Sequence, residues 1–187
     1  MQFNGYRYVL VASLLVILPS VGLCQFYLTE VHSRWNDRFD EWEILTEDGS
    51  SQSVYYLSLS WPLQRNWEEW RLEGEDLQAI IRTKWRGDLS TWEVRSNDEI
   101  IVIKQVYRND PGQWEIRSGD TREIISTQWP GNPSQWHMPR RRGEWVMAMD
   151  REFDPRDWII EDYLENTLSP LVRLSAVFIT LWQTIPK

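Results

Sequence analysis

Three neighbouring arginines are the residues of this sequence best suited to hold an anion. Arg140, Arg141 and Arg142 stand in a tight turn between Trp136 and Trp145. Guanidinium groups bind phosphate and carboxylate through paired hydrogen bonds, and three of them in one turn could surround such a group. A solvated turn that offsets acidic neighbours is the commoner explanation of such a run. We therefore keep these residues as candidate anion-binding residues beside that alternative.

Two tryptophans form a second candidate site. Trp67 and Trp70 enclose Glu68 and Glu69 in a stretch that departs from the regular spacing of the other tryptophans. Exposed aromatic rings in an irregular loop could stack on a sugar ring or enter a lipid interface. Trp67 could equally close the end of the fold. We treat the pair as candidate exposed ligand contacts.

The titratable residues offer no set that converges on one catalytic site. His32 and His137 are the only histidines, and His137 follows Trp136, so its side chain should point outward from a strand. Acidic residues cluster near both ends of the expected domain: Asp37, Asp40, Glu41 and Glu43, then Asp154, Asp157, Glu161 and Asp162. A solvated face explains these acids better than calcium ligation or glycoside hydrolysis, since no Asp-x-Asp-x-Asp-Gly spacing occurs. We expect no enzyme activity, no metal and no cofactor.

The net charge and the N-terminal residues limit the classes of partner and the cellular destination that the protein could have. With 20 Lys+Arg against 28 Asp+Glu, a net charge of −8 argues against a nucleic-acid partner. An apolar run of eleven residues (8–18) follows a weakly basic start, and a proline and small residues lead to Cys24, the single cysteine. This pattern predicts a signal peptide over residues 1–24, with an uncleaved signal anchor as the alternative. We expect an exported protein with one domain over residues 25–187.

A repeat of 22 residues organises that domain. Two aromatic series carry it. The first series is Trp42, Trp70, Trp92, Trp114, Trp136 and Trp158, and the second is Trp35, Trp61, Trp85, Tyr107, Trp129 and Phe153. The first series keeps a spacing of 22 from Trp70 onward, while Trp42 lies 28 residues before Trp70. Such regularity indicates one supersecondary unit used repeatedly.

Each unit predicts a β-hairpin. A short strand begins at the first-series tryptophan, as in Trp114-Glu115-Ile116-Arg117, where apolar and charged residues alternate with period two. A longer strand ends at the second-series aromatic, and a loop rich in Gly, Pro, Asn and Asp follows. Counting the units gives twelve antiparallel strands, which must curl or close to remove their edges. Two other architectures fit this pattern less well. A β-solenoid would bring parallel strands, and an outer-membrane barrel would need an apolar outer face, whereas charged residues such as Glu115 and Arg117 alternate outward here.

The last segment predicts a buried helix over residues 169–184. Ser169 can act as the N-cap and Pro170 as the first helical residue. Leu171 to Trp182 is apolar on nearly every side, with Arg173 as its one charge. A helix of this kind belongs inside a structure, and a twelve-stranded barrel is too wide for its own side chains to fill. The fold class is therefore a twelve-stranded closed barrel around a central helix.

Twelve antiparallel strands followed by one apolar helix resemble the Tubby C-terminal-like superfamily, which includes Tubby proteins, phospholipid scramblases and LURP-one-related proteins. The resemblance covers roughly residues 26–187 and rests on strand count, strand order and the terminal helix. It implies a helix that runs through the barrel and an association with lipid or membranes. No position matches the basic phosphoinositide pocket of Tubby proteins or a calcium loop, so no functional residue is carried over.

The sequence therefore predicts an exported, non-enzymatic binding or structural barrel without specifying its ligand. Two other functions stay open. One is a membrane- or lipid-associated protein of the Tubby-like or scramblase type. The other is a carbohydrate-binding or carbohydrate-active module, suggested by the tryptophans and the surface acids. A lipid or membrane surface is the candidate partner, and no pattern indicates an obligate oligomer.

Overall fold

Twelve antiparallel strands close into one barrel around a single helix. The computed structural model describes residues 26–48, 51–141, 143–164 and 168–186, and the predicted signal (1–24) lies outside them. Each strand pairs with its neighbours in chain order, and the first strand pairs with the last. The strands are β1 (Phe26–Ser33), β2 (Glu41–Asp48), β3 (Ser51–Trp61), β4 (Asn66–Glu73), β5 (Gln78–Trp85), β6 (Asp88–Arg95), β7 (Ile100–Tyr107), β8 (Asp110–Ser118), β9 (Thr121–Trp129), β10 (Asn132–Pro139), β11 (Glu144–Met149) and β12 (Asp157–Asp162). This confirms the predicted fold class.

Four of the six strands that carry first-series tryptophans (β4, β6, β8 and β10) begin four residues earlier than the sequence predicts, whereas β2 and β12 begin one residue earlier. β6, β8 and β10 begin at Asp88, Asp110 and Asn132, so the expected loops shrink to the two-residue turns 86–87, 108–109 and 130–131. The pairing shifts at each start; Asn132 pairs with Trp129 and Trp136 pairs with Thr127. Pro111 and Pro133 lie in these bulges, where a residue without an N–H is tolerated. The predicted short and long strands are thus nearly equal in length.

A turn stabilised by hydrogen bonds precedes each buried first-series tryptophan. All six donate the indole N–H to the carbonyl oxygen three residues earlier, over 2.8–3.1 Å: Trp42 to Phe39, Trp70 to Trp67, Trp92 to Leu89, Trp114 to Pro111, Trp136 to Pro133 and Trp158 to Pro155. In the last five units, an Asn or Asp lies four residues before the tryptophan. Its side-chain oxygen accepts a hydrogen bond from the backbone N–H of the residue two positions after it, and these capping residues are Asn66, Asp88, Asp110, Asn132 and Asp154. A buried indole needs such an acceptor, which explains why the repeat uses tryptophan.

The helix α1 (Pro170–Thr184) fills the barrel. Ser169 caps it, because its hydroxyl oxygen accepts the Val172 N–H, and every residue from Leu171 to Trp182 is buried. Phe178 and Trp182 pack edge-on against Trp92 of the wall, with ring centroids 5.1 and 4.7 Å apart. At 1.5 Å per residue the helix is about 22 Å long. No helix among the described residues has the length and apolarity needed to cross a membrane.

Two polar side chains fix the start of the helix against the wall. Arg173 Nη1 donates to Asp162 Oδ2 over 2.7 Å and to the Phe26 carbonyl over 2.9 Å. The Ser169 hydroxyl donates to the Glu99 carboxylate, at 3.0 and 2.8 Å from its two oxygens. A carboxylate beside a helix N-terminus is favourable, since the helix dipole places partial positive charge there.

Because neighbouring strands are antiparallel, their connections alternate between the two ends of the barrel. One end, called here the aromatic end, carries the connections 34–40, 62–65, 86–87, 108–109, 130–131 and 150–156. The opposite end, called the acidic end, carries 74–77, 96–99, 119–120 and 140–143, and α1 begins there. The described connections of the acidic end contain five acidic residues and two basic residues, which are Glu75, Asp76, Asp98, Glu99 and Asp120, and Arg140 and Arg141. The two ends therefore differ in chemistry.

Candidate functional site

Six exposed aromatic side chains surround the aromatic end. They are the second series, called here the aromatic rim, with exposed fractions of 41% (Trp35), 45% (Trp61), 63% (Trp85), 62% (Tyr107), 61% (Trp129) and 80% (Phe153). Each one lies in, or directly before, one of the six connections of that end. The rim therefore presents one large ring per hairpin around the whole circumference of the barrel.

The repeat itself places the rim. Four rim residues end a strand and pair with the Asn or Asp that begins the next one: Trp61 with Asn66, Trp85 with Asp88, Tyr107 with Asp110 and Trp129 with Asn132. The side chain of that Asn or Asp caps the bulged turn that buries the following first-series tryptophan. One local motif thus sends one aromatic ring into the core and leaves another at the end of the barrel.

Two rim tryptophans are held by polar contacts. Trp35 donates its indole N–H to Glu41 Oε2 over 3.1 Å, and Trp61 donates to Glu69 Oε1 over 3.2 Å. The Arg38 guanidinium carbon lies 4.6 Å from the centre of the Trp35 ring. These bonds fix ring orientation while much of each ring stays in solvent, so the contact surface is ordered before anything binds.

The structure corrects the sequence-based expectation at Trp70. Its side chain is 1% exposed and packs on Phe178 of the helix, so it is part of the core rather than a ligand contact. The reason is its place in the first series, whose members all point into the barrel. Trp67 is partly buried against Trp70, with ring centroids 5.7 Å apart, and lines a cleft at the aromatic end.

That cleft has a volume of about 480 Å³ and lies between the β1–β2 connection and the β3–β4 connection. Its walls combine the rings of Phe39 and Trp67 with the charged side chains of Asp40, Arg38 and Arg65. The sequence pattern singled out Trp67 and Asp40 separately and gave no reason to place them together. The structure brings them together because consecutive hairpins are neighbours in the wall.

The arginine turn is only partly a free cationic surface. Arg140 Nη2 lies 3.2 Å from Glu123 Oε1 on the neighbouring hairpin, and both side chains are largely covered. Burial raises the pKa of Glu123, and the charge of Arg140 acts in the opposite direction. Arg141 is exposed, and Arg142 lies outside the described residues. Anion binding by this turn stays a prediction, with one of its three guanidinium groups already engaged by a carboxylate.

A row of residues with the chemistry of a hydrolytic triad crosses the outer wall. The Ser126 Oγ lies 3.0 Å from His137 Nε2, and His137 Nδ1 lies 3.8 Å from Glu144 Oε1. The sequence placed His137 outward correctly but gave no sign of these partners, which lie on β9 and β11. Ser126 and His137 are opposite each other in paired central strands, whose backbone N–H groups serve the sheet. Backbone N–H groups engaged in this way are not available as oxyanion-binding donors.

His32 bridges the seam where the barrel closes. Its Nδ1 lies 2.9 Å from Asp157 Oδ1 on β12, and its Nε2 lies 2.9 Å from Glu30 Oε2 on its own strand. Partial burial lowers the pKa of His32, but the hydrogen bonds and charges of the two carboxylates outweigh it and raise that pKa above 6.5. The contacts tie β1 to β12, which is a structural role.

Most acidic candidates are engaged within the protein. Asp154 accepts two side-chain bonds from Arg156, at 2.7 and 2.6 Å, which together with the backbone bond lower the pKa of Asp154 to about 2. Asp162 is buried against Arg173, and Glu41 accepts from Trp35. Among the described residues, no group of three or more His, Cys, Asp or Glu side chains is arranged to hold a metal ion.

Known proteins supply no further guide to the site. No protein-family model matches the chain, and neither a curated protein nor a solved structure matches it. The resemblance to the Tubby C-terminal-like superfamily therefore stays a prediction. The candidate site rests on the geometry of the aromatic end alone.

Proposed function

We propose that this protein is an exported, non-enzymatic binding barrel that attaches end-on to a lipid–water interface through its aromatic rim. The observation that carries the proposal is the exposure of six rings at one end of a wall whose first-series tryptophans are all buried. Tryptophan and tyrosine favour the boundary between water and hydrocarbon, since each joins a large apolar ring to a polar group.

The closed barrel makes a flat contact possible. Its six connections at the aromatic end surround the barrel axis, so the rim residues can meet one plane together. Leu63 belongs to the same end and is fully exposed, and Leu89 is also exposed there. A lipid surface is such a plane, whereas a small ligand would touch only one or two rings.

Charge supports the same orientation. The connections of the aromatic end carry seven arginines against five acidic residues, whereas the described connections of the acidic end carry two arginines against five. Arg65, Arg86 and Arg108 follow rim aromatics directly or within one turn, where they can reach lipid phosphates. An anionic surface would attract this end and repel the other.

Vesicle flotation tests the proposal. The purified protein lacking residues 1–24 is mixed with phosphatidylcholine vesicles and with vesicles that also contain phosphatidylglycerol. We expect it to float with the vesicles, more strongly with the anionic lipid. A variant with Trp85→Ser, Tyr107→Ser and Trp129→Ser should lose most of the floated fraction.

The matched control removes three exposed isoleucines outside the rim, at Ile80, Ile100 and Ile159, whose side chains are 49%, 53% and 47% exposed. Their replacement by serine should leave flotation unchanged, and circular dichroism should report a native fold for both triple variants. Absence of flotation with every lipid composition, or equal losses in the two triple variants, would contradict the proposal.

A further inference from the structure

The cleft beside Trp67 lies where the repeat is irregular. First-series tryptophans are 22 residues apart elsewhere, but 28 residues separate Trp42 from Trp70. The additional residues lengthen β3 to eleven residues and the following connection to 62–65. Pro62, Leu63 and Arg65 of this connection line the cleft, together with Pro186 beyond the end of α1. The departure from the repeat therefore builds one wall of a 480 Å³ cavity.

Two aromatic rings line this cleft at equivalent positions of adjacent units. Phe39 and Trp67 each lie three residues before a first-series tryptophan, and each supplies the carbonyl oxygen that accepts its indole N–H. Phe39 stacks on Trp42 with ring centroids 5.9 Å apart, as Trp67 packs on Trp70. The other four units have Leu89, Pro111, Pro133 and Pro155 at this position. Only these two units thus offer aromatic rings there, held from behind by the core.

A carboxylate with unused bonding capacity lies beside those rings. Asp40 lines the cleft and is 8% exposed, and its Oδ1 accepts no hydrogen bond from the described residues. Arg38 Nε lies 3.6 Å from that oxygen, which is longer than an N–H···O hydrogen bond. That oxygen is itself buried, and a buried carboxylate oxygen without a donor is costly, so a rotation of the carboxylate that lets it accept from a ligand hydroxyl would remove this cost.

Two guanidinium groups complete the lining. Arg38 is stacked on the rim residue Trp35, and Arg65 lies on the opposite wall of the cleft. Asp37 and Asp40 balance these two cations, so the charged groups of the cleft sum to zero. This balance disfavours an anionic or a cationic ligand. It suits a neutral molecule with many hydroxyl groups, each of which donates to a carboxylate and accepts from a guanidinium.

We propose that this cleft binds a neutral saccharide of one or two pyranose rings. The apolar face of the sugar ring packs on Trp67 or Phe39, and its hydroxyl groups bridge Asp40 to Arg38 and Arg65. The cleft shares Leu63 and Arg65 with the lipid-facing end, but none of the six rim aromatics lines it. A barrel seated on a surface would hold the saccharide beside that surface.

The test uses isothermal titration calorimetry on the protein lacking residues 1–24. The probes are glucose, maltose, cellobiose, lactose and di-N-acetylchitobiose, with glucuronic acid and glucosamine as charged counterparts. We expect at least one neutral sugar to bind and the charged counterparts to bind at least about tenfold more weakly. Asp40→Asn should weaken the affinity for that sugar by about tenfold or more, the effect of one hydrogen bond to a charged group.

Matched controls separate the cleft from general effects. Asp98→Asn, an exposed acid-to-amide change at the acidic end, and Tyr163→Ala, an exposed aromatic deletion, should keep the sugar affinity. Arg65→Gln should also weaken it, and Asp40→Asn should do so without altering vesicle flotation, which distinguishes this site from the rim. Binding of none of the neutral sugars, or an unchanged affinity in both Asp40→Asn and Arg65→Gln, would overturn the proposal.

Discussion

Arg173 Nη1 lies 2.7 Å from Asp162 Oδ2 inside the barrel, where the two side chains are 1% and 0% exposed. Each partner also has backbone contacts. The Leu28 and Leu164 N–H groups donate to Asp162, while Arg173 donates to the carbonyl oxygens of Phe26 and Leu164. The pair therefore joins the start of β1, the end of β12 and the first turns of α1. In this register of the helix, Asp162 neutralises the charge of Arg173.

Removal of one partner should be far more costly than removal of both. Asp162→Ala leaves Arg173 buried without its counter-charge and should lower the free energy of unfolding by about 3–5 kcal/mol. The double variant Asp162→Leu/Arg173→Met should recover part of this loss, as measured by urea denaturation. Asp150→Ala, at an exposed acid near Arg151, is the control and should cost less than about 1 kcal/mol. Equal effects at Asp162 and Asp150 would show that the buried pair is not a key contact.

The indole hydrogen bond of the first series should have a measurable effect on stability. Trp114→Phe removes the donor to the Pro111 carbonyl and leaves a cavity in the core, so we expect a loss of about 2–4 kcal/mol. Trp129→Phe changes the same residue type in the exposed rim and should cost less than about 1 kcal/mol. Thermal denaturation of the two variants compares them. A similar loss in both would argue against the division of the two series into core and rim.

Stability should depend on pH through His32. Because its pKa is raised in the folded barrel, its contribution is fully present below pH 6.5 and is lost as the pH rises through the folded pKa. Unfolding measured at a series of pH values should show this loss in the unmodified protein and a smaller one in His32→Gln. Proton NMR of the His32 ring gives its pKa directly, and Asp157→Asn should lower it. Titration of the ring at or below 6.5 would contradict the seam contacts.

Two glycines with positive φ should differ in their tolerance of alanine. Gly143 has φ +90°, and a Cβ there would lie 2.1 Å from the Tyr163 carbonyl oxygen, whereas Gly87 has φ +76° and open space around it. Gly87→Ala should cost only the conformational strain, about 1–2 kcal/mol. Gly143→Ala should cost clearly more, because backbone must move to relieve the clash. Chemical denaturation of both variants tests this order.

The repeat made the barrel wall and its central helix predictable. The first aromatic series, with a spacing of 22 residues from Trp70 onward and one longer unit before it, indicated the number of hairpins, and Ser169 followed by Pro170 marked the helix start that the structure has. A helix that is apolar on all sides must be buried, and the interior of a wide barrel is the place that can bury it. These features are local or periodic, and for that reason they can be read from one sequence.

The strand boundaries and the site could not be predicted in the same way. Asp110 and Pro111 are common turn residues, so the pattern favoured a loop where the structure has a bulged strand. The spacing of the second series does not report how far its rings are exposed, which only the structure shows. The pairing of Asp40 with Trp67 in one cleft, and of Ser126 with His137, arises from register between hairpins. A sign did exist in the irregular spacing between Trp42 and Trp70, which marks the cleft without revealing its lining.

The placement of α1 inside a closed wall also governs how the molecule opens. The helix packs on inward-facing rings of the wall, and all of its residues from Leu171 to Trp182 are buried. Water can therefore reach its amides only when neighbouring strands separate, so helix and wall should unfold as one cooperative unit. Hydrogen exchange at a central amide such as that of Val177 would then report the global free energy of unfolding rather than a local fluctuation. In this molecule the most protected backbone should be the segment that no strand pairs with.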